Sequence, residues 1–442
     1  MRFFQKMGYE SLTITSFVIR KGAQNMNLIG IIILVALATN LLLNILAEVL
    51  NLRRQTSRPP TGFEDVYPPE KYRQSQAYLK TRTSFGWTAA AFDLALLLIF
   101  WFFGGFEYLD QWVRQWSLGP VLSGTLYIGI LLGAKSLVAQ PFAVYSTFVI
   151  EARFGFNTAT PATFVTDRIK GLLLAVVIGG PALAGILAFF EYAGHNAWWQ
   201  CWLAATLFIL GLQYIAPTWI MPLFNRFEPL EEGQLKESIM ALARKADYPL
   251  KNVLVMDGSR RSQKSNAFFT GFGRNKRIAL FDTLIAKHTV PEMIAVLAHE
   301  IGHFKRQHIK QMMIASILQM GLMLLLLSLC LSYQGLYDAF YMTRPSVYTG
   351  ILFFALLFAP LDFFMGLILH SLSRRNEYEA DRFAVAVTGD SVAMISALKK
   401  LAADNLTNLT PHPMYVFLNY SHPPMPERVM ALQSHAQDQT AA

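Results

Sequence analysis

The sequence predicts a mainly α, polytopic membrane protein with seven transmembrane helices and one sizeable non-membrane domain that holds a small β-sheet. Three observations predict it. Of 442 residues, 53% are hydrophobic and 15% charged, where a soluble domain carries about 25% charged residues. Seven apolar runs reach or approach the ~20 residues a helix needs to cross a bilayer. Between the fifth and sixth lies a basic block of mixed polarity, residues 222–309.

The runs fall at 27–50, 86–104, 119–140, 170–190, 197–221, 310–332 and 347–370. The fourth contains Gly179-Gly180-Pro181, where a kink is expected because proline removes a backbone donor. Lys and Arg set the orientation. Loop 51–85 holds seven, 141–169 holds Arg153 and Arg168, 222–309 holds fourteen and the tail after 370 holds six. The loops near 105–118, 191–196 and 333–346 hold only Arg114 and Arg344. By the positive-inside rule the first group is cytoplasmic. The net charge of +9 therefore belongs to cytoplasmic loops, and no nucleic-acid partner is expected. Residues 1–25 disagree, because Arg2, Lys6, Arg20 and Lys21 would lie outside. A start at Met26 would remove all four. Cys201 and Cys330 sit within apolar runs and read as small buried hydrophobes, not as a disulfide or metal pair.

The chain divides accordingly: 1–221 as a membrane region with five helices, 222–309 as the large insert, 310–370 as helices six and seven, and 371–442 as a C-terminal segment. Within the insert, Glu232 through Lys245 reads as an amphipathic helix, with Leu235, Ile239, Leu242 and Ala243 on one face. Asn252–Met256, Ala267–Phe269 and Arg277–Phe281 read as strands, the last two joined through Gly271–Asn275.

The insert ends in the stretch that carries the chemistry, Val296-Leu297-Ala298-His299-Glu300-Ile301-Gly302-His303. Thr289-Val290-Pro291-Glu292 before it has the form of a capping box, so the stretch is expected to be helical. Both histidines then share one face, within reach of one metal ion, and Glu300 beside them can take a proton from attacking water. The helix is expected to run on through Lys310 into the sixth span. A carboxylate must complete the ligand set. Glu377 and Asp381, four residues apart and so on one helix face, are the candidates, although the same pair also suits a solvated helix start. Glu379 would point away from them. Asp93, Lys135 and Asp362 fall inside spans, where ionisable groups usually face a cavity or a partner.

His299-Glu300-x-x-His303, then Glu377-x-x-x-Asp381, then Ser421-His422-Pro423-Pro424 resemble the type 1 CAAX prenyl proteases. So do Tyr145–Glu151, Gly155-Phe156-Asn157, Met221–Asn225, Ser265–Phe269 and Lys276–Leu284. The likeness spans nearly the whole chain except its two ends. It implies seven helices enclosing a water-filled chamber capped by a cytoplasmic zinc-metalloprotease domain. It also implies one Zn²⁺ held by His299, His303 and Glu377, with Glu300 as general base. Asp381 would orient a ligand histidine or donate a proton, and His422 would stabilise the oxyanion. Arg428 would brace the carboxylates, and Asn266 and Ala267 would lie on an edge strand that pairs with the substrate.

The function expected is zinc-dependent peptide hydrolysis at the membrane, removing the last three residues of prenylated CAAX proteins. Two other readings compete. One is a quality-control protease of the same family, without prenyl specificity. The other is a seven-span binding or transport protein with structural zinc; against it, structural sites are usually closed by four ligands and cysteine-rich, and neither cysteine is near the motif. Substrates would be peptides or proteins, prenylated or membrane-embedded. The site would face the cytoplasm, from a bacterial inner membrane or the endoplasmic reticulum.

Overall fold

The computed structural model describes residues 26–270 and 276–441. The expectation for residues 1–25 and the Gly271–Asn275 connection lie outside them. Among the described residues, seven helices are long and apolar enough to cross a membrane: α1 (Leu28–Arg53), α2 (Pro69–Phe102), α3 (Pro120–Glu151), α4 (Pro161–Tyr192), α5 (Ala197–Phe224), α8 (His308–Cys330) and α9 (Val347–Thr388). The insert and tail add α6 (Gln234–Lys245), α7 (Val290–Lys305), α10 (Ser391–Asp404) and α11 (Met425–Ala441). All seven predicted spans are present.

Local chemistry sets several ends. Asn27 caps α1 by accepting from the Gly30 N–H at 2.9 Å, and Asp390 caps α10 through the Ala393 N–H at 2.8 Å, both satisfying donors that a helix start leaves free. The expected kink in α4 takes the form of a π-turn, Ala175–Gly179, directly before Gly180-Pro181. A second π-turn in α5, Ala216–Ile220, contains Pro217. One extra residue in the turn accommodates the proline ring without ending the helix.

Each membrane helix packs on the next, and α9 returns to α1, so the ring closes. One end is plugged by a core drawn from the helix ends remote from the insert, including Ile33, Trp101, Tyr127, Phe340 and Phe353. Between the ends the helices bury little: no residue is buried within the most apolar stretch of α5. Of the ionisable residues in the spans, Asp93 and Lys135 are exposed. Asp362, on α9, accepts from Gln319 Nε2 of neighbouring α8 at 2.8 Å.

The insert and tail fold together over the other end, with Ile239, Leu242, Ile278, Leu297, Ile301 and Leu398 in one core. Four strands, β1 (Phe227–Pro229), β2 (Leu250–Met256), β3 (Ala267–Thr270) and β4 (Lys276–Phe281), pair in the order β1-β2-β4-β3. β2 and β4 are parallel, and the outer pairings are antiparallel. β3 is therefore an edge. The strand β1 went unread, because three residues around a proline give no alternation to detect.

One expectation is corrected. The histidine helix does not continue into the sixth span. α7 stops at Lys305, Gln307 takes a left-handed conformation (φ 60°), and α8 begins at His308. No glycine marks that break, so composition gives no sign of it.

Candidate active site

α7 carries the motif because its sequence makes a good helix start. The Thr289 N–H donates to Glu292 Oε2 at 2.8 Å, closing the capping box, and Pro291 supplies a helix-ready φ. Its inner face, Met293, Leu297, Ala298 and Ile301, is buried. That leaves His299 and His303 one turn apart on the face toward α9. Gly302 lets the two helices touch: a Cβ there would lie 3.1 Å from Ala380 Cα.

α9 is one helix of 42 residues, ~63 Å long at 1.5 Å per residue and about twice the ~30 Å hydrocarbon core. The far part of it holds Glu377 and Asp381, so a single rod joins the membrane ring to the site. His299 Nε2 lies 3.1 Å from His303 Nε2. Glu377 sets Oε2 3.4 Å from the first and Oε1 3.2 Å from the second. Behind them, Asp381 Oδ1 is 2.8 Å from His299 Nδ1. Arg428, from α11, donates from Nε and Nη2 to the two Asp381 oxygens at 2.8 and 2.6 Å, and its Nη1 is 3.1 Å from Glu377 Oε2. His422 Nε2 lies 3.3 Å from Glu377 Oε1.

These residues fit a metal. Among the described residues one three-member group of metal-ligating atoms stands out, His299, His303 and Glu377, all within 4.8 Å of one another. Glu377 Oε2 is buried with no hydrogen bond that meets ideal geometry; Arg428 Nη1 balances its charge from 3.1 Å, and its remaining lone pair is available to a metal. With the His299 Nδ1 proton engaged by Asp381, its Nε2 lone pair faces Glu377, which a positive ion would reconcile. Burial opposes charge on His299, but hydrogen bonds to Asp381 and Glu377 outweigh it and raise its pKa to about 9. Burial also pushes the Glu300 carboxyl above its usual range, with the charges of His299 and His303 pulling the other way.

A cleft of about 320 Å³ opens on this group, lined by Asn266, Ala267, His299, Glu300, His303, Glu377, His422 and Arg428 with an apolar wall that includes Leu284 and Met394. All nine residues singled out in the sequence thus border one cleft or support it from behind, Asp381 through its bonds to His299 and Arg428. Glu379 stands apart, its Oε2 3.3 Å from His308 Nε2 and its Oε1 3.1 Å from Arg375 Nε. His308 is the residue that sequence reasoning missed. Its Nδ1 lies 3.1 Å from His303 Nδ1, a contact that exists only because the helix breaks at Gln307.

Fold and site define an integral-membrane metallopeptidase with an H-E-x-x-H centre. Residues 48–226 match the family described as CAAX prenyl protease N-terminal, five membrane helices, and 229–436 match peptidase family M48. The chain is similar to CAAX prenyl protease 1 of Saccharomyces cerevisiae, at 34% identity over 86% of this chain and 89% of that one. It is also similar to the human CAAX prenyl protease 1 homolog, at 31% identity over 87% and 90%. The crystal structure of S. mikatae Ste24p superposes with a TM-score of 0.87 at 32% identity, covering 92% of this chain and all of that one. The chain belongs to the CAAX prenyl protease 1 family within peptidase family M48 and is a metalloendopeptidase.

Proposed function

We propose that this chain is a zinc endopeptidase that cuts the extended C-terminal segment of prenylated CAAX proteins at the cytoplasmic face of its membrane. The observation that carries the zinc reading is the convergence of two imidazole Nε2 atoms and one carboxylate on a single point, with the cleft leaving an open side as catalytic zinc requires. The substrate reading rests on the relatives named as CAAX prenyl proteases and on the position of the cleft at the end of a membrane-spanning ring.

Zinc held by His299, His303 and Glu377 would supply Lewis-acid activation of water and of the scissile carbonyl. Glu300 accepts the proton of the attacking water and hands it to the departing amine. His422, exposed at the mouth, donates to the oxygen of the attacked carbonyl as charge develops there. Asp381 keeps the His299 proton on Nδ1, and Arg428 fixes Asp381. The substrate lies extended along β3 and adds a strand to the sheet edge at Asn266 and Ala267. The division of labour follows the chain: 1–221 and 310–370 form the membrane ring, while 222–309 and 371–442 supply the site.

The test uses full-length protein in detergent, with a farnesylated CAAX peptide and its unmodified twin. The proposal expects cleavage of the farnesylated peptide, faster than of its twin, and a loss of about 10²–10⁴-fold in Glu300→Gln with zinc content unchanged. Equal cleavage of both peptides would remove the prenyl specificity. Parental turnover in Glu300→Gln would remove the assigned base.

A further inference from the structure

We propose that His308 is a positioning residue for the metal site, accepting the Nδ1 proton of His303 so that His303 Nε2 is held as a free lone pair aimed at the metal. The inference rests on the reading of His303 as a zinc ligand.

The two ligand histidines are backed differently. His299 hands its Nδ1 proton directly to a carboxylate, Asp381. His303 has no carboxylate at Nδ1; it has the Nδ1 of a second imidazole, at 3.1 Å. An imidazole that binds metal through Nε2 keeps its remaining proton on Nδ1, so His303 donates at this contact and His308 accepts. The proton of His308 must then sit on its Nε2, which lies 3.3 Å from Glu379 Oε2. The other Glu379 oxygen accepts from Arg375 Nε at 3.1 Å. Each link has one donor and one acceptor, and the direction is fixed from both ends. An ionised carboxylate can only accept, and a metal-bound Nε2 has no proton to give.

Backbone geometry supports the same assignment. In an unbroken helix a residue five positions on lies about 140° around the axis and about 7.5 Å along it, where the two rings could not meet. The turn through Arg306 and left-handed Gln307 brings His308 back under His303, with ring centroids 5.2 Å apart. A non-glycine residue in that conformation is strained and persists where its surroundings fix it. The His308 side chain is 3% exposed, which leaves little room for water to take over the acceptor role. The break between α7 and α8 therefore places a backing group behind the second ligand.

The test compares His308→Ala and His308→Asn with the parent, using full-length protein in detergent and zinc released to a competing chelator. Asparagine sets Oδ1 close to where Nδ1 lies, so it can accept the His303 proton; alanine cannot. The expected result is a 10–100-fold weaker zinc affinity in His308→Ala, largely restored in His308→Asn. Melting temperatures measured with excess chelator should fall by the same amount in both, since both lose the ring. Parental zinc affinity in His308→Ala would overturn the proposal, as would an equal loss in the two variants, which would mean that ring packing and not the acceptor matters. A parent that binds no zinc would instead defeat the zinc reading, and this inference with it.

Discussion

Arg428 grips Asp381 with two parallel hydrogen bonds, 2.8 Å from Nε and 2.6 Å from Nη2, and both residues are buried. The pair joins α11 to α9 behind His299, and the third guanidinium nitrogen reaches Glu377. Burial alone would weaken the guanidinium charge, yet Asp381 outweighs it and holds Arg428 above its ordinary pKa. A lysine supplies charge without the fork. Arg428→Lys should therefore keep the fold while weakening zinc binding about 10–100-fold, measured by chelator competition. Arg428→Ala should cost about 3–5 kcal/mol in thermal unfolding, since it strands two buried carboxylates. A lysine variant with parental zinc affinity would show that one positive charge suffices.

Gly302 sets the distance between the two halves of the site. A Cβ would meet Ala380 Cα at 3.1 Å and Ala380 O at 3.2 Å, and backbone cannot swing aside as a side-chain tip can. Gly302→Val should cost about 1–3 kcal/mol of stability by overpacking. Because it would part His299 and His303 from Glu377, turnover should fall more than 10-fold, in line with the roughly 10²-fold penalty of a 1 Å misplacement. Peptide turnover and a melting curve on the same preparation check this. Undiminished turnover would mean that the spacing is set elsewhere.

The sequence exposed those parts of the molecule whose signals are short-range. Spans showed as apolar runs, α7 as a capping box, and the metal set as two histidines four apart with carboxylates spaced to match. Asn266, Ala267, His422 and Arg428 were legible only through family likeness. Nothing local shows that an exposed asparagine just before an edge strand or an arginine in the last helix turns toward the cleft. His308 and the break before it were illegible for a sharper reason. Gln307 takes the left-handed conformation without being glycine, so the fold imposes that backbone and composition does not announce it. The long start of α2 was missed similarly: Pro69 to Phe85 is too polar for a membrane run, yet helical throughout.

β3 makes a prediction about substrate binding. Phe281 N–H donates to the Asn266 carbonyl, so the next N–H along β3, that of Ala267, turns toward the open edge, where Asn266 Oδ1 accepts it at 2.8 Å. With Oδ1 engaged there, the asparagine side chain meets the substrate through its Nδ2 donor, which pairs with a substrate carbonyl. Asn266→Ala should lower kcat/KM about 10-fold, the worth of one hydrogen bond of ~1 kcal/mol or a little more, mainly through KM, with zinc content unchanged. Steady-state kinetics at several peptide concentrations would decide it. A fall confined to kcat would instead give Asn266 a role in the chemical step.

The start of the histidine helix should make the protein acid-sensitive over a defined range. Burial would raise the Glu292 pKa, but hydrogen bonds from Lys400, Ser396 and the Thr289 N–H outweigh it and bring the value from 4.5 down to about 2. A folded-state pKa below the unfolded one means that Glu292 contributes its full stability above pH about 4.5 and loses it as pH falls through about 2. Glu292→Gln keeps a capping-box partner but loses the Lys400 ion pair, 2.7 Å at Glu292 Oε1. Melting curves of metal-free protein should then separate by about 1–3 kcal/mol at neutral pH and converge toward pH 2. Removing the metal first matters, because acid also strips zinc ligands. Asp404, likewise held below its ordinary pKa against burial, by His288 at 3.7 Å and the charges of Lys287 and Lys71, is common to both proteins and cancels in the comparison. If parent and variant stay a constant distance apart from pH 7 to 2, Glu292 is not the group that titrates.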